Sequence, residues 1–543
     1  MYEEIIRPLF LRLLATQSDT NSPRETYIEE QILTWLKEQP YFYEHSDLCG
    51  MHPLADDPYH RNVVWALVKG SGDKTLVLLH HHDSIDIEDF GKLKHIALRP
   101  DELEEALRHR PLSRQTRRDL ESGAWTFGRG SADMKSGAAI QLALCAHFSR
   151  QEDFPGNILL LSVPDEETIS RGMLNAIPLI TTLRDKYQLD YVLAINSEPY
   201  FNQSTGKAIF YEGSVGKIMP VLYVKGVKSH IAEPFDGFNP SLVLADLQKK
   251  TELNVDLCDV HNREATPPPV WVNLKDRKKA YDASIPEAAT GYFNWLTFTR
   301  SPQDIVKKLY SLSRRTLRDT LIHFQDAYEN YCNLTGQEPD DVSFEPRVYT
   351  FEMIYNLALE NDTGLFSEAY DLFLAKLAEL VRGNKITLPE ATTRMIEFVT
   401  EWLDMEGPAI VIALSGPYYP HVNNQYIEKK PPLSLVDTIN RFAEEKYNLT
   451  FESQAFFMGM SDLSYASWAG NNEDVELIRA NSPGWDTVYH IPFDKLKTLN
   501  MPVVNIGPWG KDLHKVTERV LTEDVYERIP AIIEHLINQY LET

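Results

Sequence analysis

Short apolar runs alternate with helically spaced segments through the first 200 residues. RNVVWALVKG, TLVLLH, NILLLSV and YVLAIN are rich in Val, Ile and Leu and are bounded by turn residues. Such runs predict buried strands. Between them, SGAAIQLALCAHFSR and LNAIPLITTLRDKY carry helical spacing, and the N-terminal MYEEIIRPLFLRLLATQ reads as an amphipathic helix. Strand and helix in alternation predict an α/β domain with a largely parallel sheet.

The texture changes after about residue 213. KIMPVLYVKG, GYFNWLTFTR, RVYTFEMIY and PAIVIALSG read as strands. NPSLVLADLQKK and a long stretch from about Pro302 to Asn330 read as helices. This mixture predicts a smaller α+β domain. Past the PYYPHVNN and EKKPPL loops the first texture of helix and strand returns, with the helix LVDTINRFAEEKY, the strands QAFFMGM and MPVVNIG, and the closing helix DVYERIPAIIEHLINQYL. The expected architecture is one α/β domain, residues 1–213 and 431–543, interrupted by an inserted α+β domain at 214–430.

Composition narrows the partners. Asp plus Glu is 79 against 54 for Lys plus Arg, a formal charge of −25. That field disfavours nucleic acid and anionic membrane surfaces. No apolar run approaches the roughly 20 residues that span a bilayer, and the N-terminus lacks a signal-peptide pattern. The four cysteines are scattered without a CxxC pair, so a reducing cytoplasm is expected. Asn-x-Ser/Thr matches at Asn202, Asn333, Asn361 and Asn448 are read as chance.

The candidate chemistry sits where strands end. In KTLVLLHHHDSID, alternation puts His81 and Asp83 on one side of a strand and His80 and His82 on the other. A metal-bound histidine commonly gives its second ring N–H to a carboxylate, which makes His81 the candidate ligand and Asp83 its orienting partner. Read alone, the segment is equally a polar strand end. WTFGRGSADMKSG places Asp133 in a Gly-rich turn before a helix, where a cap is the plainer reading. NILLLSVPDEETISRG sets Glu166 and Glu167 after a buried strand, and YVLAINSEP sets Glu198 after the next. Successive acids at one edge of a sheet, where α/β sites gather, argue jointly for a metal centre.

These segments resemble motifs of the M20 family of two-metal amidohydrolases. HHDSI is similar to its HxDxV/T motif, GRGSADMKSG to GxxDxKxG, PDEET to DEE, NSEP to the downstream metal-binding acid, and IGPWGKDLHKVTE to the C-terminal HxxxE. The resemblance extends to LLATQSDTNSPRETYIEEQIL and MGMSDLSYA. In HHDSIDIEDFG and the long insert it is greatest to the arginine-utilisation branch found in bacilli. It implies a zinc-exopeptidase-like catalytic domain with a lid, in which His81 and Glu198 bind one metal and Glu167 and His514 the other. Asp133 bridges the pair, Glu166 is the general base and Asp83 orients His81. Mixed oxygen and nitrogen ligands suit Zn²⁺, with Co²⁺ or Mn²⁺ as alternatives.

VKGVKSHIAEPFDGFNP is similar to the family's GxxSHxxxPxxGxNA segment, which implies that His230 stabilises the substrate oxyanion and that Asn239 lies beside it. In dimeric relatives this histidine serves a partner's site; relatives with enlarged lids work as monomers. The 214–430 insert is larger than the family's usual one, so both arrangements stay open. After Asp462 the chain reads Leu463, Ser464, Tyr465, without the arginine that many amino-acid-specific relatives carry there. The expected activity is hydrolysis of an amide in an N-acyl amino acid or dipeptide, within arginine or amino-acid catabolism. The alternatives are an N-carbamoyl amidohydrolase and a non-catalytic binding protein on the same fold.

Overall fold

Four apolar strands run parallel through the middle of an eight-stranded sheet: Asn157–Val163, Lys74–His81, Asp190–Asn196 and Val503–Asn505. The register pairs His81 with Val163, Leu79 with Asn196 and Asn196 with Asn505. All four carboxyl ends therefore open at one edge. The outer strands are Cys49–Pro53 and Asn62–Lys69 on one side, Ala208–Tyr211 and Phe451–Gln454 on the other. These come from a computed structural model that describes residues 2–200, 207–339, 344–360 and 364–542. Asn202 and Asn361 lie outside the described residues.

Helix Ser136–Phe148 shows why the sheet is buried. Every residue in it except His147 is buried, as a helix apolar on all sides must be. It lies in one core with helices Glu3–Ala15 and Ile529–Glu542 and the sheet residues Leu76, Leu78, Ile158 and Leu160.

The chain divides into two units. One comprises Met1–Val215, Pro420–Ala469 and Pro492–Thr543; the other comprises Gly216–Tyr419 and Gly470–Ile491. The second has its own five-stranded sheet, in the order Val270–Asp276, Ala288–Thr297, Gly216–Lys225, Ala409–Tyr419, Arg347–Thr350. Its longest helix, Pro302–Thr335, starts on a Ser301 cap that accepts from Asp304 N–H and ends before Gly336 at φ 68°, both standard terminators. Among the described residues no helix is long and apolar enough to cross a membrane.

Three local expectations are corrected. RVYTFEMIY is a strand only over Arg347–Thr350; from Phe351 it is helix, because Phe351, Ile354 and Ala358 bury at helical spacing. Of QAFFMGM only Gln454 is strand, the last residue of Phe451–Gln454. The strand leading to Asp133, Trp125–Phe127, pairs with Arg519–Leu521 in a separate three-stranded sheet. Asp133 thus reaches the site from beside the main sheet, on a turn whose Asp133–Met134 peptide is cis.

Candidate active site

The ends of the parallel strands deliver most of the site. His81 closes its strand with a buried ring. Its Nδ1 lies 3.1 Å from the Asp83 carbonyl oxygen and 3.4 Å from Asp83 Oδ1. With Nδ1 as the donor, Nε2 presents its lone pair to the site. That atom stands 3.1 Å from Asp133 Oδ1 and 3.3 Å from Glu198 Oε1.

Asp133 has two faces. Its other oxygen, Oδ2, lies 3.4 Å from His514 Nε2, and His514 Nε2 lies 3.1 Å from Glu167 Oε2. Two clusters result, each with ligand atoms within 4.8 Å of one another: His81, Glu166 and Glu198, and Asp133, Glu167 and His514. A carboxylate with one oxygen on each histidine is suited to hold two cations at the short separation of two-metal sites. The oxygen and imidazole donor set fits Zn²⁺ and similar divalent ions.

The Glu166–Glu167 pair is split by its backbone. Asp165 adopts φ 69°, a left-handed conformation that turns the chain sharply. The N–H groups of Glu166 and Glu167 then donate to Asp83 Oδ1 and Oδ2, both at 3.2 Å. Asp83 therefore serves the His81 ring and the glutamate turn together. His514 is likewise left-handed, at φ 62°. Its loop is tied down by Asp512, which accepts from Thr517 Oγ1 at 2.9 Å and from Arg519.

The electrostatics are those of crowded acids. Burial, reinforced by Asp133, pushes Glu198 up to about 8. Burial holds Glu166 well above the usual carboxylate range, with Asp462, Glu198 and Glu167 adding to the effect against His81. Asp133 goes the other way: burial opposes its charge, but His514 and His81 outweigh that and hold it low. His514 is raised to about 11 by Asp133 and Glu167. Divalent charge in the clusters would relieve this repulsion and favour the ionised carboxylates.

Residues with no role assigned from sequence complete the surroundings. Glu518, the last position of HKVTE, accepts the N–H of Ala132 at 3.1 Å and of Asp133 at 3.3 Å, and pairs with Arg129 at 2.9 Å. It fixes the turn that carries Asp133. Buried Lys135 donates to the Thr16 carbonyl at 2.6 Å. Asp462 is buried, its carboxyl pushed up to about 7 by burial with the Ser170 hydroxyl opposing. The quoted motifs contain Glu518, Lys135 and Asp462, but spacing alone attaches no contact to them.

His80 and His82 stay out of the clusters. His80 Nδ1 meets Gln141 Oε1 at 3.0 Å and His82 Nδ1 meets Ser162 Oγ at 2.9 Å. His230 and Asn239 belong to the second unit. Asn239 Oδ1 accepts Ser241 N–H and caps helix Pro240–Thr251. Exposed His230 accepts the Ala232 N–H on Nδ1 at 3.1 Å, which leaves Nε2–H as the donor of its neutral form.

The model of the peptidase family M20/M25/M40 matches residues 109–539. The chain belongs to that family. It is an enzyme of the M20 metallopeptidase and amidohydrolase class. Two Bacillus subtilis proteins match nearly end to end. The uncharacterized protein YqjN is 32% identical, with 98% of this chain and 96% of the relative covered. Protein RocB is 30% identical, with 95% and 91% covered. A succinyl-diaminopimelate desuccinylase of Buchnera aphidicola is 30% identical over 39% of this chain and 52% of its own length. Among solved structures, the M20 family metallo-carboxypeptidase Sso-CP2 of Sulfolobus solfataricus superposes with a TM-score of 0.54 at 11% identity, covering 99% of both chains; at that identity the likeness is one of fold.

Proposed function

We propose that the chain is a cytoplasmic two-metal hydrolase that cleaves an amide bond in a small N-acyl amino acid or dipeptide of arginine or amino-acid catabolism. The observation that carries this is the division of Asp133, Oδ1 towards His81 and Oδ2 towards His514, with Glu166 in the first cluster. His81 and Glu198 would hold one ion and Glu167 and His514 the other, with Asp133 offering one oxygen to each. When bound, two such cations polarise a carbonyl and acidify a water. Glu166 takes the proton of the attacking water and passes it to the leaving nitrogen. Asp83 keeps the His81 ring in its tautomer and both glutamates in their places. His230, through Nε2–H, donates to the oxyanion as the tetrahedral centre forms.

The desuccinylase relative and the resemblance to the arginine-utilisation branch support an amide of a basic or acylated amino acid. Four free cysteines are consistent with the cytoplasm. The test is turnover of arginine-pathway amides and ureides by protein loaded with Zn²⁺, Co²⁺ or Mn²⁺, with amine and ammonia release read separately. Amine alone is the expected product. Ammonia with carbon dioxide would indicate the carbamoyl reaction instead, and no turnover by fully loaded protein would overturn the enzymatic assignment of this substrate class.

A further inference from the structure

Beneath the glutamate turn lies a buried guanidinium. Arg61 is fully buried and spends its N–H groups on three carboxylates. Nε and Nη2 fork onto Asp57, with Nη2 at 2.7 Å from Oδ1; Nη1 donates to Glu25 Oε1 at 2.6 Å and to Asp165 Oδ1 at 2.7 Å. Glu25 also accepts the Asp165 N–H on Oε2 at 2.8 Å, and Asp165 Oδ2 accepts the Arg171 N–H at 3.2 Å. Asp165 is therefore held at its amide and at both carboxylate oxygens, in the left-handed conformation that starts the turn.

Such a cluster is a poor device for stability alone. Buried ion pairs seldom outperform apolar packing of the same volume, because each charge must first leave water. They do fix geometry, since a planar fork satisfies its acceptors in one arrangement. Here the geometry it fixes is one residue upstream of two glutamates that must point at different targets. We propose that Arg61 is a positioning residue of the catalytic turn, holding Glu166 and Glu167 on their separate targets through Asp165. Lysine cannot substitute: it keeps the charge but loses the fork. The inference rests on the reading of Glu167 as a ligand of the second ion.

The test is titration of metal-free full-length protein with Co²⁺, following stoichiometry and the visible spectrum. Arg61→Lys should keep one tightly bound ion and bind the second about 10–100-fold more weakly, the range for outer partners of metal ligands. Asp165→Asn, whose side chain tolerates the same backbone conformation, should shift in the same direction by less, and decides the matter if Arg61→Lys does not fold. Asp57→Asn, which breaks the fork itself, should weaken the second site in the same direction. The control is Glu390→Gln, which breaks an ion cluster with Arg277 and Arg394 in the second unit and should lower thermal stability with the second affinity held near wild type. Wild-type affinity and spectrum in Arg61→Lys and Asp165→Asn would overturn the inference. So would an equal loss in Glu390→Gln, which would mean general loosening. Glu167→Gln separates the two readings: if it binds both ions normally, the ligand assignment fails independently of Arg61.

Discussion

The main-chain N–H of Glu166 donates to Oδ1 of Asp83 at 3.2 Å. Asp83 thereby couples the residue proposed as base to the histidine proposed as ligand, since the same oxygen lies 3.4 Å from His81 Nδ1. Asp83→Asn should be costly despite its similar shape. One carboxylate oxygen becomes an N–H₂ that faces another N–H donor. Metal affinity should fall about 10–100-fold, read by competition with a chelating dye. Affinity within twofold of wild type would contradict the coupling.

Three adjacent histidines should separate cleanly. His81→Ala should lose metal at one site, whereas His80→Ala and His82→Ala should keep both ions. The latter two instead give up buried hydrogen bonds to Gln141 and Ser162, a loss of roughly 1–3 kcal/mol in stability. Elemental analysis and denaturant titration read the two effects. Equal metal loss in all three variants would refute the separation.

The paired glutamates should also part company. Glu166→Gln should keep both ions and lose most turnover, because an amide cannot take the water's proton. Glu167→Gln should weaken the second ion as well. Near-normal turnover by metal-saturated Glu166→Gln would remove Glu166 from the role of base.

For His230→Ala we expect kcat to fall roughly 10²–10³-fold with both ions bound, as when one oxyanion donor is removed. KM should change far less, because the contact strengthens only as charge develops. Mixing this variant with Glu166→Gln protein should raise activity well above the sum of the two impaired variants if the donor crosses between subunits. Freely exchanging dimers without rescue would place the donor in its own chain.

The second unit offers a pH test away from the metal ligands. Burial opposes the charge of Glu390, yet Arg277 and Arg394 hold its carboxyl down, from an ordinary 4.5 to about 2. The unfolded chain therefore binds the proton first as pH falls. The contribution is whole above about 4.5 and disappears towards 2. Glu390→Gln should be less stable than wild type near neutrality, with the difference shrinking across that window. A constant difference at every pH in urea titrations would contradict this.

Much of this was legible in the sequence, for identifiable reasons. NILLLSV and YVLAIN are strands because continuous apolar runs suit a sheet covered on both faces, and the acids that follow them necessarily collect at one edge. RVYTFEMIY was not legible, because a short aromatic run carries no period until neighbours choose one, and a strand of Arg347–Thr350 passes straight into helix. Arg61 was hidden for a different reason. Nothing local in HRNVVW shows that Glu25 and Asp165, distant in sequence, converge on its guanidinium. The same holds for Glu518, whose acceptor role depends on the antiparallel pairing of Trp125–Phe127 with Arg519–Leu521, far apart in sequence.

If Asp133 divides its oxygens between two ions required for amide hydrolysis, bound Zn²⁺ per chain and amine release must rise together during reconstitution of metal-free protein. Two ions are expected per wild-type chain and one in His514→Ala, with amine release reaching its full rate only as the second site fills. Full turnover by metal-free protein, or saturation of wild type at a single ion, would rule out that division.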